Sequence, residues 1–253
     1  MKKSILFIFT ACFLFTTSCS DFLDEEHKTK YSSEYVFGTP EGLKLAVNAL
    51  YALQRYYAND TENATIFALE RGTDLAVTNG GTGNFYGIYD PNYLKPSASQ
   101  VGFMWRTMYQ IIGKANEIIA AAEDLEDTPS LRATVSEAKC FRAQSYFLLY
   151  RTFDRIWLNI QPTTAENVND PRDFHAASEK EVFDLIYEDL EYAITNLDWV
   201  SDEAGRFTQA AARHMKAKAA LWLKDWDTTL EQVEEIEKSG HFDLIALNEV
   251  FNA

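Results

Sequence analysis

The sequence predicts an all-α fold of helical hairpins broken by one long irregular loop. Three observations carry this. Apolar residues recur mostly with a period of 3.6 rather than 2. Helix-start signals stand in front of the periodic stretches: Thr39-Pro40, Thr128-Pro129, Ser178 with Glu181, and Thr208. Glycine and proline gather in one segment, Arg71 to Ser97, which cannot hold a long helix.

The chain opens on a different pattern. Lys2 and Lys3 precede an apolar run from Ser4 to Thr17, and Thr16, Thr17 and Ser18 lead into Cys19. This is the layout of an export leader, with an apolar run too short for a comfortable membrane span. A small-residue tripeptide ending in cysteine resembles a bacterial lipobox, with Thr16 standing where leucine is usual. The resemblance implies cleavage after Ser18 and diacylation of Cys19. Losing residues 1–18, two of them lysines, would leave 235 residues with a net charge of −17. Each buried lipid methylene contributes ~0.8 kcal/mol, so two or three acyl chains hold a protein stably on a membrane. Residues 19–38 then form a lipidated tether, beginning with the acidic Ser20-Asp21-Phe22-Leu23-Asp24-Glu25-Glu26, and residues 39–253 form the helical domain.

The first helix of that domain starts at Thr39-Pro40 and runs to about Tyr57, with Leu43, Val47, Leu50, Tyr51 and Gln54 on one side. The second covers about 99–123 and carries Phe103, Trp105, Met108, Tyr109, Ile112, Ala115, Ile118 and Ile119. The third covers about 130–153, with Val135, Ala138, Phe141, Arg142, Ser145, Tyr146 and Leu149 on its face. The capping box Ser178/Glu181 opens a fourth, striped by Val182, Ile186, Leu190, Ala193 and Leu197, with Glu179, Asp184, Glu188 and Glu191 facing outward. A fifth follows Thr208 and is rich in alanine, so that a neighbouring helix can pack close. Asp225-Trp226-Asp227 turns the chain into a sixth helix from Thr228 to Ser239, closed by Gly240. Ala138, Ala143, Ser145, Phe147 and Leu149 are echoed by Ala212, Ala217, Ala219, Leu221 and Leu223 at a constant offset of 74, the length of about two tetratricopeptide-type hairpins. Two unrelated alanine-rich core helices would show the same residues.

The loop combines Phe85, Tyr86, Tyr89 and Tyr93 with Asp74, Asn79, Asn84, Asp90 and Asn92. Flat aromatic faces beside amides and carboxylates suit the apolar C–H faces and hydroxyls of a sugar. Asp74, Asn84, Tyr86, Tyr89 and Tyr93 are therefore the candidate ligand-binding residues, although each aromatic could equally serve to fasten the loop onto the helices.

Other chemistries find little support. A net charge of −15 repels nucleic-acid backbones. Three cysteines make no disulfide framework, and Cys140 reads as a small buried residue on an apolar helix face. His27, His175, His214 and His241 show no metal-ligand spacing, and no phosphate-binding glycine motif occurs, so neither a cofactor nor a metal is expected. Paired carboxylates of a glycosidase are not evident among acids that lie on helix exteriors. The chain reads as a binder, not an enzyme.

Several stretches together are similar to the SusD/RagB family of surface lipoproteins. They are Cys19-Ser20-Asp21-Phe22-Leu23-Asp24; Thr39-Pro40-Glu41-Gly42-Leu43 with Ala49-Leu50-Tyr51; and Trp105 with Tyr109, Ile112, Ala115, Asn116 and Ile119. To these are added Glu137 to Ala143 with Tyr146-Phe147-Leu148; Asp189 to Ile194; Gly205 to Thr208; and Lys224-Asp225-Trp226 with Ser239 to Phe242. The resemblance implies an α-helical, tetratricopeptide-like fold, an outer-membrane lipid anchor and cell-surface exposure. It also implies capture of an oligosaccharide or other nutrient for a SusC-like TonB-dependent transporter. A helical-repeat interaction scaffold without sugar binding is the alternative. Two departures stand out: Phe153 to Leu158 replaces a Gly-Asp-Val-Pro-Leu-like segment, and family members run to about twice this length, so the chain reads as the family's N-terminal half, truncated.

The leader generates a first expectation. A Cys19→Ala variant leaves the protein unlipidated and released from membranes on fractionation; continued retention would remove the anchor from the account.

Overall fold

The computed structural model describes residues 31–59, 99–153, 155–171 and 174–245. Seven helices lie among them: α1 (Ser33–Gly38), α2 (Pro40–Asn59), α3 (Ser99–Ala122), α4 (Pro129–Thr152), α5 (Glu179–Asn196), α6 (Gln209–Leu223) and α7 (Trp226–Lys238). No strand occurs among the described residues. The all-α expectation holds, and all six predicted helices are present. The short α1, inside the expected tether, is additional. Its end lies so close to α2 that a Cβ on Gly42 would sit 2.2 Å from the Tyr35 carbonyl oxygen, so only glycine fits there.

The predicted caps form. Thr128 accepts from the Leu131 amide at 3.2 Å ahead of Pro129. Ser178 and Glu181 close both halves of their box. Thr208 accepts from the Ala211 amide at 3.3 Å. α7 begins two residues earlier than expected, because Asp225 itself caps it by accepting from Thr228 at 3.1 Å. Lys224, in the left-handed region at φ 61°, makes the tight turn from α6.

Successive helices run antiparallel. Tyr57 near the end of α2 stacks on Phe103 near the start of α3, with ring centroids 6.1 Å apart. Trp105 meets Phe153, just after α4, edge-on at 5.0 Å. Tyr150 donates to Glu179 at the start of α5, 2.8 Å away. Gln209 at the start of α6 donates its amide to the Asp198 carbonyl, just after α5. Arg213 of α6 donates to Gln232 of α7 at 2.8 Å. The core consists of Leu43, Val47 and Leu50 from α2, Ile111, Ile112 and Ile118 from α3, Phe141, Tyr146 and Leu149 from α4, and Ile186 and Leu190 from α5. Each such side chain contributes about 1.5–3 kcal/mol on burial.

The echo at offset 74 acquires a corrected meaning. It relates α4 to α6, which are one hairpin apart rather than two. The spacing is long because 26 residues, 153–178, separate α4 from α5. Ala138, Ala143 and Ser145 and their counterparts Ala212, Ala217 and Ala219 are all buried, as close helix packing requires.

One buried ionic cluster joins these helices. Asp189 of α5 is fully buried. It accepts from Lys139 Nζ at 2.8 Å and from Arg142 Nε and Nη2, each at 2.7 Å. Arg142 Nη1 donates to Asn116 Oδ1 of α3 at 2.8 Å, and Asn116 Nδ2 donates to the Asn159 carbonyl at 2.6 Å. Burial disfavours the Arg142 charge, but hydrogen bonds and attraction from Asp189 hold its pKa above the ordinary value. A second cluster ties α2 to the α5–α6 turn. Tyr51 donates to Glu137, accepts from the Phe207 amide at 2.7 Å and lies 5.1 Å under Arg206, which itself donates to Glu137 at 3.2 Å.

Removing one partner of a buried pair strands a charge, at a cost of about 3–5 kcal/mol. Asp189→Ala is therefore expected to destabilise the chain by about that amount in urea melts. Lys180→Ala, which breaks an exposed pair with Asp184, is expected to leave the midpoint unchanged.

Candidate functional site

The residues singled out from the sequence, Cys19, Asp74, Asn84, Tyr86, Tyr89 and Tyr93, lie outside the described residues, as does the export leader. The structure does show where their loop attaches. It leaves α2 at Asn59 and enters α3 at Ser99, at the end of the array where α4 also finishes. That end is built from aromatics. Tyr56, exposed, meets Phe103 edge-on at 5.7 Å. Trp105 touches both Tyr109, at 4.8 Å, and Phe153. Tyr109 stacks on Trp157 at 6.4 Å, and Trp157 leans on Phe174 at 4.9 Å. Buried Phe103 holds Tyr56 and Tyr57, while Phe174, 71% exposed, and Tyr56, 59% exposed, reach solvent.

Trp157 and Phe174 belong to the strap between α4 and α5, whose residues 155–160 form no helix and run along α3 and α4. An extended chain needs partners for its backbone groups, and two tyrosines supply them. The Tyr109 hydroxyl donates to the Trp157 carbonyl at 2.8 Å and accepts from the Trp157 amide at 2.9 Å. The Tyr146 hydroxyl donates to the Asn159 carbonyl at 2.9 Å and accepts from the Asn159 amide at 2.7 Å. Residues 157 and 159 are two apart, so both turn the same backbone edge toward the helices. Farther along, the Ala177 amide donates to the Ile156 carbonyl at 2.9 Å and closes the strap on itself. Burial raises the pKa of both tyrosines, so the hydroxyls keep the protons that this double role needs.

Sequence reading missed Tyr56, Trp157 and Phe174. A signal was present for two of them: Trp157 and Phe174 stand in a non-helical stretch beside Asn159, the same aromatic–amide mixture as the first loop. The geometry offers stacking surfaces and amides. Cys140 is fully buried, and burial, followed by the nearby Asp189 and Glu137 carboxylates, pushes its thiol well above the usual range. Asp189 is committed to two cations.

A family model for SusD-like proteins, described as "Starch-binding associating with outer membrane", matches residues 21–221. The chain belongs to the SusD/RagB family. Among its SusD-like relatives, one from Bacteroides ovatus is 28% identical over 240 residues, covering 90% of this chain and 40% of the relative. "SusD-like protein P38" of Formosa agariphila is 27% identical, covering 96% of this chain and 48% of the relative. The chain thus spans less than half the length of the curated relatives it matches. A solved laminarin-binding SusD-like protein superposes with a TM-score of 0.68 at 25% identity, over 78% of this chain and 43% of its own. A structure solved with a xylogluco-oligosaccharide shares the fold at a TM-score of 0.66 and 22% identity, over 80% of this chain and 41% of that one.

The strap of this SusD-like chain should respond to its tyrosines. In Tyr146→Phe the half-buried Asn159 amide loses its partner, at a cost of about 1 kcal/mol. Hydrogen exchange should speed at Asn159 and leave the α5–α6 turn unchanged.

Proposed function

We propose that this chain binds glycans with the aromatics of the strap between α4 and α5 together with those of the 60–98 segment. The observation that carries this reading is the SusD-like match across residues 21–221, in a chain whose strap pairs Trp157 with Tyr109 and with exposed Phe174. Relatives named as laminarin-binding, or solved with a xylogluco-oligosaccharide, support a carbohydrate ligand. A sugar ring stacks its C–H face on Phe174 or Trp157 and on Tyr86, Tyr89 or Tyr93 of the loop. Asp74 and Asn84 take its hydroxyls. Binding involves no bond-making step, so the protein captures its ligand rather than turning it over.

Residues 1–18 act as the export leader, 19–38 as the lipidated tether and 39–253 as the binding domain. Lipidation at Cys19 places the protein on the outer membrane, exposed at the surface, where a SusC-like TonB-dependent transporter receives the oligosaccharide. One further observation favours a scaffold role alongside or instead of binding. Trp226, Leu230 and Val233 of α7 are all exposed and recur at i, i+4 and i+7, as a helix-docking stripe does.

The purified chain is tested against a panel of oligo- and polysaccharides by affinity electrophoresis and calorimetry. Retardation by at least one glycan is expected. Absence of binding at millimolar sugar, with the transporter still co-purifying, would leave the scaffold reading. Tyr86→Ala, Tyr89→Ala and Phe174→Ala should each weaken binding by up to about tenfold, the loss of one aromatic contact, with the melting temperature unchanged. Unaltered affinity in all three would move the site elsewhere.

A further inference from the structure

A ladder of aromatic rings leads from α3 out to the strap. Trp105 and Tyr109, one turn apart on α3, have ring centroids 4.8 Å apart. Tyr109 stacks on Trp157 at 6.4 Å with 25° between the planes. Trp157 meets Phe174 at 4.9 Å and 56°. The first three rings are half-buried, and Phe174 is exposed. Among the described residues the Phe174 ring meets one other ring, that of Trp157. The two legs of the strap that carry them are tied by the Ala177 amide, which donates to the Ile156 carbonyl at 2.9 Å. The place of Phe174 therefore follows from the place of Trp157.

Trp157 is in turn set by a single side chain. The Tyr109 hydroxyl accepts from the Trp157 amide and donates to the Trp157 carbonyl, while the Tyr109 ring backs the indole. Pinning both backbone groups fixes the direction in which the side chain leaves the strap, and the ring contact fixes its tilt. We infer that Tyr109 is a positioning residue for the sugar contact at Phe174, acting through Trp157. This role rests on the glycan-binding reading above and adds to it a residue that does not touch the sugar. The physical reason is twofold. Stacking is a sum of short-range contacts, each of which loses a quarter to a half of its strength over a gap of about 0.5–1 Å. A ring already held in its bound position also loses less conformational freedom when the ligand arrives. The hydroxyl is the group that discriminates: Tyr109→Phe keeps a ring beside Trp157 but releases its amide and carbonyl.

The test titrates the tightest-bound glycan of the panel against Tyr109→Phe, Phe174→Ala and the double variant. Tyr109→Phe should weaken binding by about threefold to tenfold. The double variant should bind as Phe174→Ala does, because no ring is left for Tyr109 to place. Tyr51→Phe is the matched control: it removes a hydroxyl that also accepts a backbone amide, that of Phe207, and should lower the melting temperature with affinity unchanged. The placement is read separately, without sugar, by fluorine NMR of the fluorotryptophan-labelled chain. The Trp157 resonance should shift and broaden in Tyr109→Phe while that of Trp226 stays in place. Additive losses in the double variant, unchanged affinity in Tyr109→Phe, or an unmoved Trp157 resonance would overturn the role. Failure of the unsubstituted chain to bind any glycan removes the glycan reading and this role with it. Glycan binding with any of the three overturning results removes the role alone.

Discussion

The fully buried carboxylate of Asp189 is the point on which the rest of the array depends. Apolar helix faces attract without direction, and two helices joined only by leucines and isoleucines can slide by a turn at little cost. Asp189 removes that freedom. It accepts three hydrogen bonds from Lys139 and Arg142, all in a setting where a misplaced charge would be stranded without water. Arg142 carries the restraint onward to Asn116, and Asn116 carries it to the backbone at Asn159. Three helices and the strap are thereby held in one register by a single connected set of polar groups.

The aromatic end follows from that register. Tyr109 and Asn116 lie two turns apart on α3, and Arg142 and Tyr146 one turn apart on α4. Once Asn116 and Arg142 are locked together, both tyrosyl hydroxyls face the line along which the strap must run. They then do the work of a neighbouring strand, pairing the amide and carbonyl of Trp157 and of Asn159. The strap in turn presents Trp157 and Phe174 against Tyr109 of α3. A buried ion pair and a pair of tyrosines thus position the strap's aromatic rings.

Much of the fold was legible because its signals are local. The cap at Thr128, the box at Ser178 and Glu181 and the cap at Thr208 each depend on residues within four positions, and each forms as expected. The buried faces of α2 to α5 follow from periodicity for the same reason. The misreadings are equally instructive. The offset of 74 suggests two hairpins in the sequence because the 26 residues between α4 and α5 carry no periodic signature and add length to the repeat. Asp189 was read only as part of a family-like stretch. Its charge pairs with Lys139 and Arg142, 50 and 47 residues away, and no local pattern marks a buried carboxylate among the solvated ones on α5. Of the candidate site, the mixture of aromatics and amides was readable in Tyr86, Tyr89 and Asn84 and, beside Asn159, in Trp157 and Phe174. Which rings meet was not, because that depends on how distant helices pack.

The sequence by itself determined the all-α class, the helix boundaries to within a residue or two, the likeness to SusD-like proteins and the acidic character that disfavours polyanions. These rest on spacing, capping chemistry and composition, which act over a few residues or over the whole chain at once. The tertiary structure alone decided which polar residues go inside and how the strap is held. The reason is physical: the free energy of a buried polar group depends on partners brought from distant parts of the chain, and those partners meet only when the helices pack.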